Sequence, residues 1–404
     1  MFGHINHLIL KVTRDCNLRC EYCYIKNKDD FKNEIISIEV VDKIIKRLIS
    51  DKKKNNDKMP VNITLHGGEP TKIGKKHLYS ILEHINYYLS KELDFKITMQ
   101  TNLTLIDEEM ATILNKFGVG LGFSFDGLNS NKLRTEKYSD NFFIKKMKML
   151  EEYKVNFNPL IVINKNNYKS IFSTIDFLRK EFNKTSFRMN YVEDVITQNT
   201  SKNNKFEING KKFFKKVWKK VIDDFIKDKT DEIYESNVER IVRKFVYSQL
   251  SNEPDGEIGN CGLKFCGGGM RIIEVEPDGN IHYCGRYDQS YDISTIGHVD
   301  NSEFLDIQSY KRYVDFLELK DEVIRNTGCD QCPAKHICDY GCMAFYYSKF
   351  GEWGIRTDLV CDLYIPMHSY LYKNRKKVID KVIKNKRNGN TLELKLGKKI
   401  NLEE

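Results

Sequence analysis

Residues 16–23 read CNLRCEYC, so Cys16, Cys20 and Cys23 lie close together near the start of the chain. The segment Ile5 to Val12 before them predicts a short buried strand that delivers the chain to a cysteine-bearing loop. Three thiolates on one loop can hold three corners of a four-iron cluster and leave the fourth iron open for an external ligand. The stretch therefore predicts an iron–sulfur centre with one iron open to a ligand.

The other eight cysteines all lie in the C-terminal part of the chain, and none occurs between Cys23 and Cys261. Eight thiolates can close two more four-iron clusters, so the count of 11 cysteines predicts three [4Fe–4S] clusters in total. Disulfides would need an oxidising compartment, which nothing in the sequence indicates. The eight cysteines are Cys261, Cys266, Cys284, Cys329, Cys332, Cys338, Cys342 and Cys361.

The bulk composition is ordinary for a globular protein of 404 residues, with 40% hydrophobic and 30% charged residues. No apolar run approaches the roughly 20 residues that cross a bilayer, and Met1 to Lys11 lacks a signal-peptide pattern. We therefore expect a cytoplasmic protein with no membrane partner. The formal charge of +9 comes from basic residues spread along predicted helices, so we expect no nucleic-acid partner either.

Strand-like and helix-like segments alternate through residues 1–195. This rhythm predicts an α/β fold, in which a parallel sheet wrapped by helices is either open or curved into a partial barrel. Pro159 is expected to interrupt the fifth strand. The predicted strands are 5–12, 61–66, 95–100, 119–125, 155–163 and 186–192, and the predicted helices are 34–50, 75–90, 107–117, 141–153 and 168–182.

The chain changes character after residue 195. The next segment is polar, rich in lysine and helical, with an apolar stripe from Phe213 to Phe225. A hairpin is predicted over 272–283, around the turn Pro277-Asp278-Gly279-Asn280. The domains predicted are a barrel at 1–195, a helical bridge at 196–255, a cysteine-rich domain at 256–370 and a basic tail at 371–404, with helix at 374–387 and strand at 391–396.

Special residues follow the predicted strands at the edge where parallel α/β folds bind ligands. Gly67-Gly68-Glu69-Pro70 follows the second strand, and Ser124-Phe125-Asp126-Gly127 ends the fourth. Each segment alone is more typical of a tight turn than of a ligand site. Their joint placement at neighbouring strand ends favours a ligand site instead.

On these residues the chain resembles the radical S-adenosylmethionine superfamily, in which an aromatic residue such as Tyr22 precedes the third cysteine. The resemblance implies a partial (β/α)6 TIM-like barrel, with S-adenosylmethionine bound to the open iron. One electron would cleave it to a 5′-deoxyadenosyl radical that abstracts hydrogen from a C–H bond. The implied catalytic cluster ligands are Cys16, Cys20 and Cys23, and the implied cofactor contacts are Tyr22, Gly67, Gly68, Glu69, Ser124, Asp126 and Arg134.

The spacing of the C-terminal cysteines resembles the SPASM domain, which carries auxiliary clusters in radical enzymes that modify peptides and proteins. By resemblance to anaerobic sulfatase-maturing enzymes, both auxiliary clusters would be fully ligated by protein. One would use Cys261, Cys266, Cys284 and Cys342, and the other Cys329, Cys332, Cys338 and Cys361. Electron transfer and support of the substrate pocket are the roles that this arrangement implies.

The resemblance implies a ribosomally made precursor peptide as substrate. The reaction would be a thioether or other crosslink, or a related C–H functionalisation. An electron donor of flavodoxin or ferredoxin type is also implied. Because the first predicted strand begins near Ile5, we expect no N-terminal peptide-binding domain. Leader recognition would then fall to a separate protein, the bridging helix or the basic tail.

Other functions stay open. Oxidation of Cys or Ser to formylglycine is one, but sulfatase-maturing enzymes place an Asp after the cysteine matching Cys284, where this chain has Gly285. No general base is evident, and the nearest candidates are Arg286, Tyr287 and Asp288. A non-catalytic iron–sulfur electron carrier is an alternative of another class. Zinc at either cysteine group, with His336 as a ligand in the second, is the remaining alternative.

Overall fold

The computed structural model of the chain describes residues 5–23, 33–128, 134–192, 208–250, 267–286, 294–301, 318, 322, 324–342, 344 and 358–387. A single nine-stranded sheet connects the strands of these described ranges. Among the described helices, none combines the length and apolar content that crossing a bilayer requires.

The first six strands are parallel and lie side by side in chain order, with helices between them along the chain. The first strand pairs with the second and the seventh, so the six strands do not close on themselves. This confirms the partial barrel. The strands are β1 His7–Thr13, β2 Val61–Gly67, β3 Phe95–Thr101, β4 Gly120–Ser124, β5 Phe157–Ile163 and β6 Arg188–Tyr191. The helices are α1 Ile38–Lys54, α2 Lys75–Leu89, α3 Glu108–Lys116, α4 Asp140–Glu152 and α5 Ile171–Phe182.

Alternation along each strand separates an apolar face from a polar one. On β1, Leu8 and Leu10 are buried in the core, and Ile63 and Leu65 on β2 continue this layer toward the helices. The opposite, concave face carries polar side chains that hydrogen-bond across strands. His7 Nε2 lies 2.9 Å from Thr64 Oγ1, which lies 2.9 Å from Thr98 Oγ1. The interior of the open barrel is therefore polar rather than a packed apolar core.

The starts of α1, α3 and α4 are set by side-chain caps that satisfy free backbone N–H groups. Helix α1 begins later than predicted because the Ser37 hydroxyl accepts from Val40 N. Asp107 caps α3 in the same way, through Met110 N at 3.0 Å, and Ser139 caps α4. Each cap contributes about 1 kcal/mol.

The predicted interruption at Pro159 is wrong, because this residue lies within β5. The register of β5 with β6 begins at Leu160, and the Phe187 carbonyl next to it accepts from Ser236 N at 2.9 Å. The missing N–H of Pro159 therefore removes no ladder bond on that side.

The predicted hairpin is confirmed, and it extends the barrel sheet. Strand β7 (Ile272–Val275) pairs parallel to β1, and β8 (Asn280–His282) and β9 (Thr295–His298) follow in antiparallel order. The barrel and the hairpin thus share one hydrogen-bonded sheet. The predicted domain boundaries stay predictions.

The described part of the bridging segment, 208–250, is largely helical, as predicted. The residues of its apolar stripe are all buried: Phe213, Phe214, Val217, Val221, Ile222 and Phe225. The helices of this segment pack against the two C-terminal helices, 358–373 and 375–387. The start of the predicted basic tail is therefore packed against the rest of the protein. Val378 and Val382 are buried, and Lys381 pairs with Asp228. The predicted strand at 391–396 lies outside the described residues. The helices are α6 Gly210–Phe213, a π-helical turn Phe214–Trp218, α7 Lys219–Ile226, α8 Ser236–Leu250, α9 Lys335–Cys338, α10 Asp358–Lys373 and α11 Arg375–Arg387.

Candidate active site

The three N-terminal cysteines lie on the loop that leaves the carboxyl end of β1. Cys16 is buried, whereas Cys20 and Cys23 are partly exposed, and Cys23 N donates to Cys20 O at 3.1 Å. Leu18 N lies 3.4 Å from Cys16 Sγ, and Asn102 Nδ2 lies 4.0 Å from the same sulfur. Amide donors around a thiolate are what an iron–sulfur ligand requires, since they stabilise its charge.

The loop is fixed against the end of β2 by backbone hydrogen bonds. Gly68 N donates to Thr13 O at 2.8 Å, and Glu69 N donates to Asp15 O at 2.9 Å. A Cβ on Gly67 would lie 1.9 Å from Thr13 O, and one on Gly68 would lie 2.1 Å from Asp15 O. The two glycines are therefore required by the close approach of the cysteine loop, and their contact with a cofactor stays a prediction.

The Glu69 carboxylate connects the ends of β2 and β3. It is fully buried, and its Oε1 accepts from Thr71 N at 3.2 Å, Thr71 Oγ1 at 2.6 Å and Thr101 Oγ1 at 2.8 Å. Its Oε2 accepts from Asn102 N at 2.7 Å. Burial raises the pKa of Glu69, and these hydrogen bonds oppose the rise. The side chain holds Asn102 beside Cys16, and its predicted contact with the methionine ammonium stays a prediction.

Tyr22 of the cysteine loop forms a hydrogen-bonded triad with Asp126 and Arg134, in which Asp126 and Arg134 are buried and Tyr22 is partly buried. Tyr22 Oη donates to Asp126 Oδ2 at 2.6 Å, and Arg134 Nη1 donates to Tyr22 Oη at 3.0 Å. Arg134 Nη1 also lies 3.9 Å from Asp126 Oδ1. Burial raises the pKa of Asp126 to about 6, while Arg134 and the Tyr22 hydroxyl oppose this rise. The structure thus brings three predicted cofactor contacts together, and their contact with S-adenosylmethionine stays a prediction.

We expect Tyr22→Phe to loosen the cysteine loop, because it removes both hydrogen bonds of the hydroxyl. The loss is about 1–3 kcal/mol for bonds to charged partners, which corresponds to roughly tenfold faster loss of iron to a chelator. Iron release is measured anaerobically by absorbance on the reconstituted protein. Tyr153→Phe is the matched control, since the Tyr153 hydroxyl bonds to Glu108 on the exposed surface. Equal release rates in the two variants would contradict the role of the triad.

Ser124, the remaining predicted contact, ends β4 on the polar face of the sheet. Its Oγ accepts from Gln100 Nε2 at 3.1 Å. Gly122 lies beneath it, and a Cβ there would stand 2.5 Å from Gln100 Oε1. The Gln100 side chain therefore occupies the space above Gly122, and the pair adds hydrogen-bonding groups to the barrel interior.

The C-terminal cysteines are partly described. Burial and the charges of Cys332, Cys329 and Cys361 together raise the pKa of the Cys338 thiol to about 12, so these three cysteines lie near enough to Cys338 to act on its charge. Together with Cys338 they are the four residues of one predicted cluster set. Of the other set, Cys284 and Cys342 are partly exposed, and Cys261 and Cys266 lie outside the described residues.

Within the described ranges, no group of three or more His, Cys, Asp or Glu side chains is placed to hold a metal ion. The structure brings the N-terminal thiols to one loop at one sheet edge, and it does not gather them around a single ion. Thiolate sulfur with neighbouring amide donors is nevertheless the donor set that iron–sulfur clusters select. The residues fit such a group, which Cys16, Cys20 and Cys23 would hold, and their role as its ligands stays a prediction.

One charged group in the barrel interior was missed from the sequence. Lys11 Nζ lies 2.8 Å from Glu274 Oε1 and 2.7 Å from Glu276 Oε1, and all three side chains are buried. Two of the three nearest base candidates, Tyr287 and Asp288, lie outside the described residues. The available signal was the segment IIEVE at 272–276, where two acids share one face of an otherwise apolar strand.

Two family models match the chain, Radical SAM superfamily over residues 10–178 and iron–sulfur cluster-binding SPASM domain over 266–333. The cysteine-type anaerobic sulfatase-maturating enzyme of Clostridium novyi (strain NT) is 24% identical over 387 residues, covering 93% of this chain and 96% of that enzyme.

Two solved structures share the fold. Native anSMEcpe with bound AdoMet has a TM-score of 0.72 at 21% identity, covering 93% of this chain and 99% of that one. Streptococcus suis SuiB bound to precursor peptide SuiA has a TM-score of 0.60 at 17% identity, covering 88% of this chain and 76% of that one. The chain carries a Radical SAM superfamily domain followed by an iron–sulfur cluster-binding SPASM domain, as the cysteine spacing predicted.

Proposed function

We propose that this protein is a peptide maturase that reductively cleaves S-adenosylmethionine and modifies a ribosomally synthesised peptide. The modification is a thioether or other crosslink, or a related C–H functionalisation. The observation that carries the proposal is the position of the cysteine loop. It lies at the carboxyl edge of an open barrel with a polar interior, and β1 continues that sheet into the hairpin that precedes Cys284.

Cys16, Cys20 and Cys23 would hold a [4Fe–4S] cluster, and S-adenosylmethionine bound there supplies a 5′-deoxyadenosyl radical on reduction. The chain's own residues position that chemistry. Asp15 pairs with Lys72 and accepts from Asn33 N at 3.2 Å, which anchors the start of the loop. The triad of Tyr22, Asp126 and Arg134 anchors its end.

Two auxiliary clusters complete the proposed set of three. The proximity of Cys329, Cys332, Cys338 and Cys361 supports one of them. Lys244 pairs with Asp339 in the buried layer beside Cys338, so α8 stabilises this cysteine group. A flavodoxin or ferredoxin would supply electrons, and leader recognition would use a separate protein. The helix α11 is less suited to that role, because its apolar residues are buried against the bundle.

The peptide assignment is supported by the hydrogen-bonding groups of the barrel interior. Thr64, Thr98, Gln100 and Ser124 line the concave face, and they match the alternating donors and acceptors of a peptide backbone. SuiB, which shares the fold, is known bound to its precursor peptide.

Formylglycine formation is the second candidate. The similarity to a cysteine-type sulfatase-maturating enzyme over 93% of this chain favours it. Gly285 stands against it, since the expected aspartate is absent from that position.

The test begins with anaerobic reconstitution, followed by assays for iron, sulfide and zinc. Dithionite reduction with S-adenosylmethionine should release 5′-deoxyadenosine, and a cluster-loaded protein that releases none would be an electron carrier instead. Candidate peptides are then co-expressed and examined by mass spectrometry. Loss of hydrogens with sulfur retained and no aldehyde formed supports the proposal. Exchange of sulfur for oxygen at a cysteine, or loss of two hydrogens at a serine that then reacts as an aldehyde, supports formylglycine formation. No mass change in any peptide overturns both.

A further inference from the structure

A carboxylate from β7 occupies the space beside Gly285. A Cβ placed on Gly285 would lie 2.6 Å from Glu274 Oε2 and 3.4 Å from Ile9 Cδ1. Ile9 and Glu274 are register partners on β1 and β7, so their side chains share one face of the sheet. The space that a side chain at Gly285 would occupy is therefore filled by the Glu274 carboxylate from β7.

Glu274 lies on the concave face, together with Lys11. Lys11 is the register partner of His66 on β2, two residues beyond Thr64, whose hydroxyl belongs to the polar interior. The Lys11 ammonium reaches both Glu274 and Glu276. Three charged or titratable groups face Glu274: Lys11 from β1, Glu276 just after the end of β7, and His282, the register partner of Glu274 on β8.

The charges in this group do not balance. Two carboxylates share the single Lys11 ammonium, and Arg14 Nε is 4.0 Å from Glu276 Oε2 on the far side. Glu274 is fully buried, and its Oε2 finds no hydrogen-bond donor among the residues that the structure describes. A buried acceptor without a donor costs about 1–3 kcal/mol or more, so a protein retains one where a ligand or a proton satisfies it.

Burial raises the pKa of Glu274, Lys11 opposes the rise and the neighbouring Glu276 charge adds to it. A carboxyl group whose pKa is moved toward neutrality exchanges protons at the working pH of an enzyme. The raised pKa of Glu274 is consistent with its buried position and with the absence of a donor to its Oε2 among the described residues.

We propose that Glu274 is the proton acceptor of the reaction and takes the place of a side chain at position 285. The proposal rests on the proposed function, in which a peptide loses hydrogen from carbon. In the step assigned to Glu274, an S–H, O–H or N–H bond of the peptide breaks and an O–H bond forms on Oε2. The electron pair stays on the peptide heteroatom, so the step is a proton transfer without oxidation.

The experiment uses the reconstituted full chain and the peptide whose mass change establishes the proposed function. Three variants are compared with the wild type: Glu274→Gln, Glu276→Gln and the double variant Glu274→Ala with Gly285→Asp. Product per 5′-deoxyadenosine, peptide Kd and iron content are measured for each. General-base removal typically costs at least about 100-fold in rate.

We expect Glu274→Gln to form about 100-fold less product per 5′-deoxyadenosine while keeping the wild-type peptide Kd and iron content. Glu276→Gln should lose much less, because the atoms nearest to a Cβ at Gly285 belong to Glu274 and Ile9 and not to Glu276. The double variant returns a carboxylate from position 285 itself and should recover at least about a tenth of the wild-type product yield. A purely structural role for Glu274 would change iron content and Kd and would not be rescued at position 285.

Each outcome decides the inference. A wild type that modifies no peptide overturns the proposed function, and this inference falls with it. If the wild type modifies the peptide and Glu274→Gln forms as much product, the inference about Glu274 is overturned and the proposed function stands. The inference is also overturned if Glu274→Gln loses iron or fails to fold while the double variant folds but forms no product.

Discussion

An enzyme with Cys16, Cys20 and Cys23 all replaced by alanine is expected to release no 5′-deoxyadenosine. The three thiols lie on one loop, with amide donors at the buried Cys16 sulfur, and the described part of that loop offers no substitute sulfur ligand. The variant should also lose about a third of its iron if the chain holds three [4Fe–4S] clusters. High-performance liquid chromatography of the quenched reaction measures the first quantity, and a colorimetric iron assay measures the second.

Cys338→Ala provides the comparison, because Cys338 belongs to the other cysteine group. This variant should keep much of its 5′-deoxyadenosine release and lose peptide modification. If the triple variant still cleaved S-adenosylmethionine, the cysteine loop would not be the site of the radical chemistry.

Gly68→Ala is expected to destabilise the protein strongly for a change that adds a single methyl group. The new Cβ would stand 2.1 Å from Asp15 O and 2.4 Å from Arg14 O, both backbone atoms of the cysteine loop. The loop must move away, at a cost of about 3–5 kcal/mol, and its hydrogen bonds to the end of β2 are lost. We expect a large fall in the thermal midpoint of the apoprotein and failure to assemble the N-terminal cluster.

Gly74→Ala is the matched control for this steric argument. No atom lies within 4 Å of a Cβ at Gly74, so the substitution tests only its φ of 84°. With a ψ of 155°, this backbone conformation costs a non-glycine residue about 1–3 kcal/mol. If Gly68→Ala were as mild as Gly74→Ala, the close approach of the cysteine loop to Gly68 would have to be wrong.

The order of strands and helices could be predicted from the sequence because the barrel repeats one local pattern. Each strand alternates between an apolar and a polar face, and each helix shows its own periodicity. Details that depend on neighbours could not be predicted. Helix α1 starts after Ser37 because a hydroxyl caps it, and Pro159 fits within β5 because β6 requires no bond there.

The candidate site shows the same division. The cysteine spacing identified thiols that share a loop, and strand-end motifs identified residues that meet at one edge. The partners of those residues were not evident, because Tyr22 reaches Asp126 and Arg134 only through tertiary packing. Glu274 was not identified from the sequence because its interest depends on its proximity to Gly285. The two residues are not neighbours in the sequence and approach each other only in the folded sheet.

Strand β1 has hydrogen-bonded neighbours on both sides, β2 and β7. A proteolytic cut that released everything after residue 266 would leave β1 as a bare edge with unpaired N–H and C=O groups. Such edges recruit strands from other molecules and lead to aggregation. The cysteine-rich part therefore protects the barrel from aggregation, because it covers the edge of the barrel sheet.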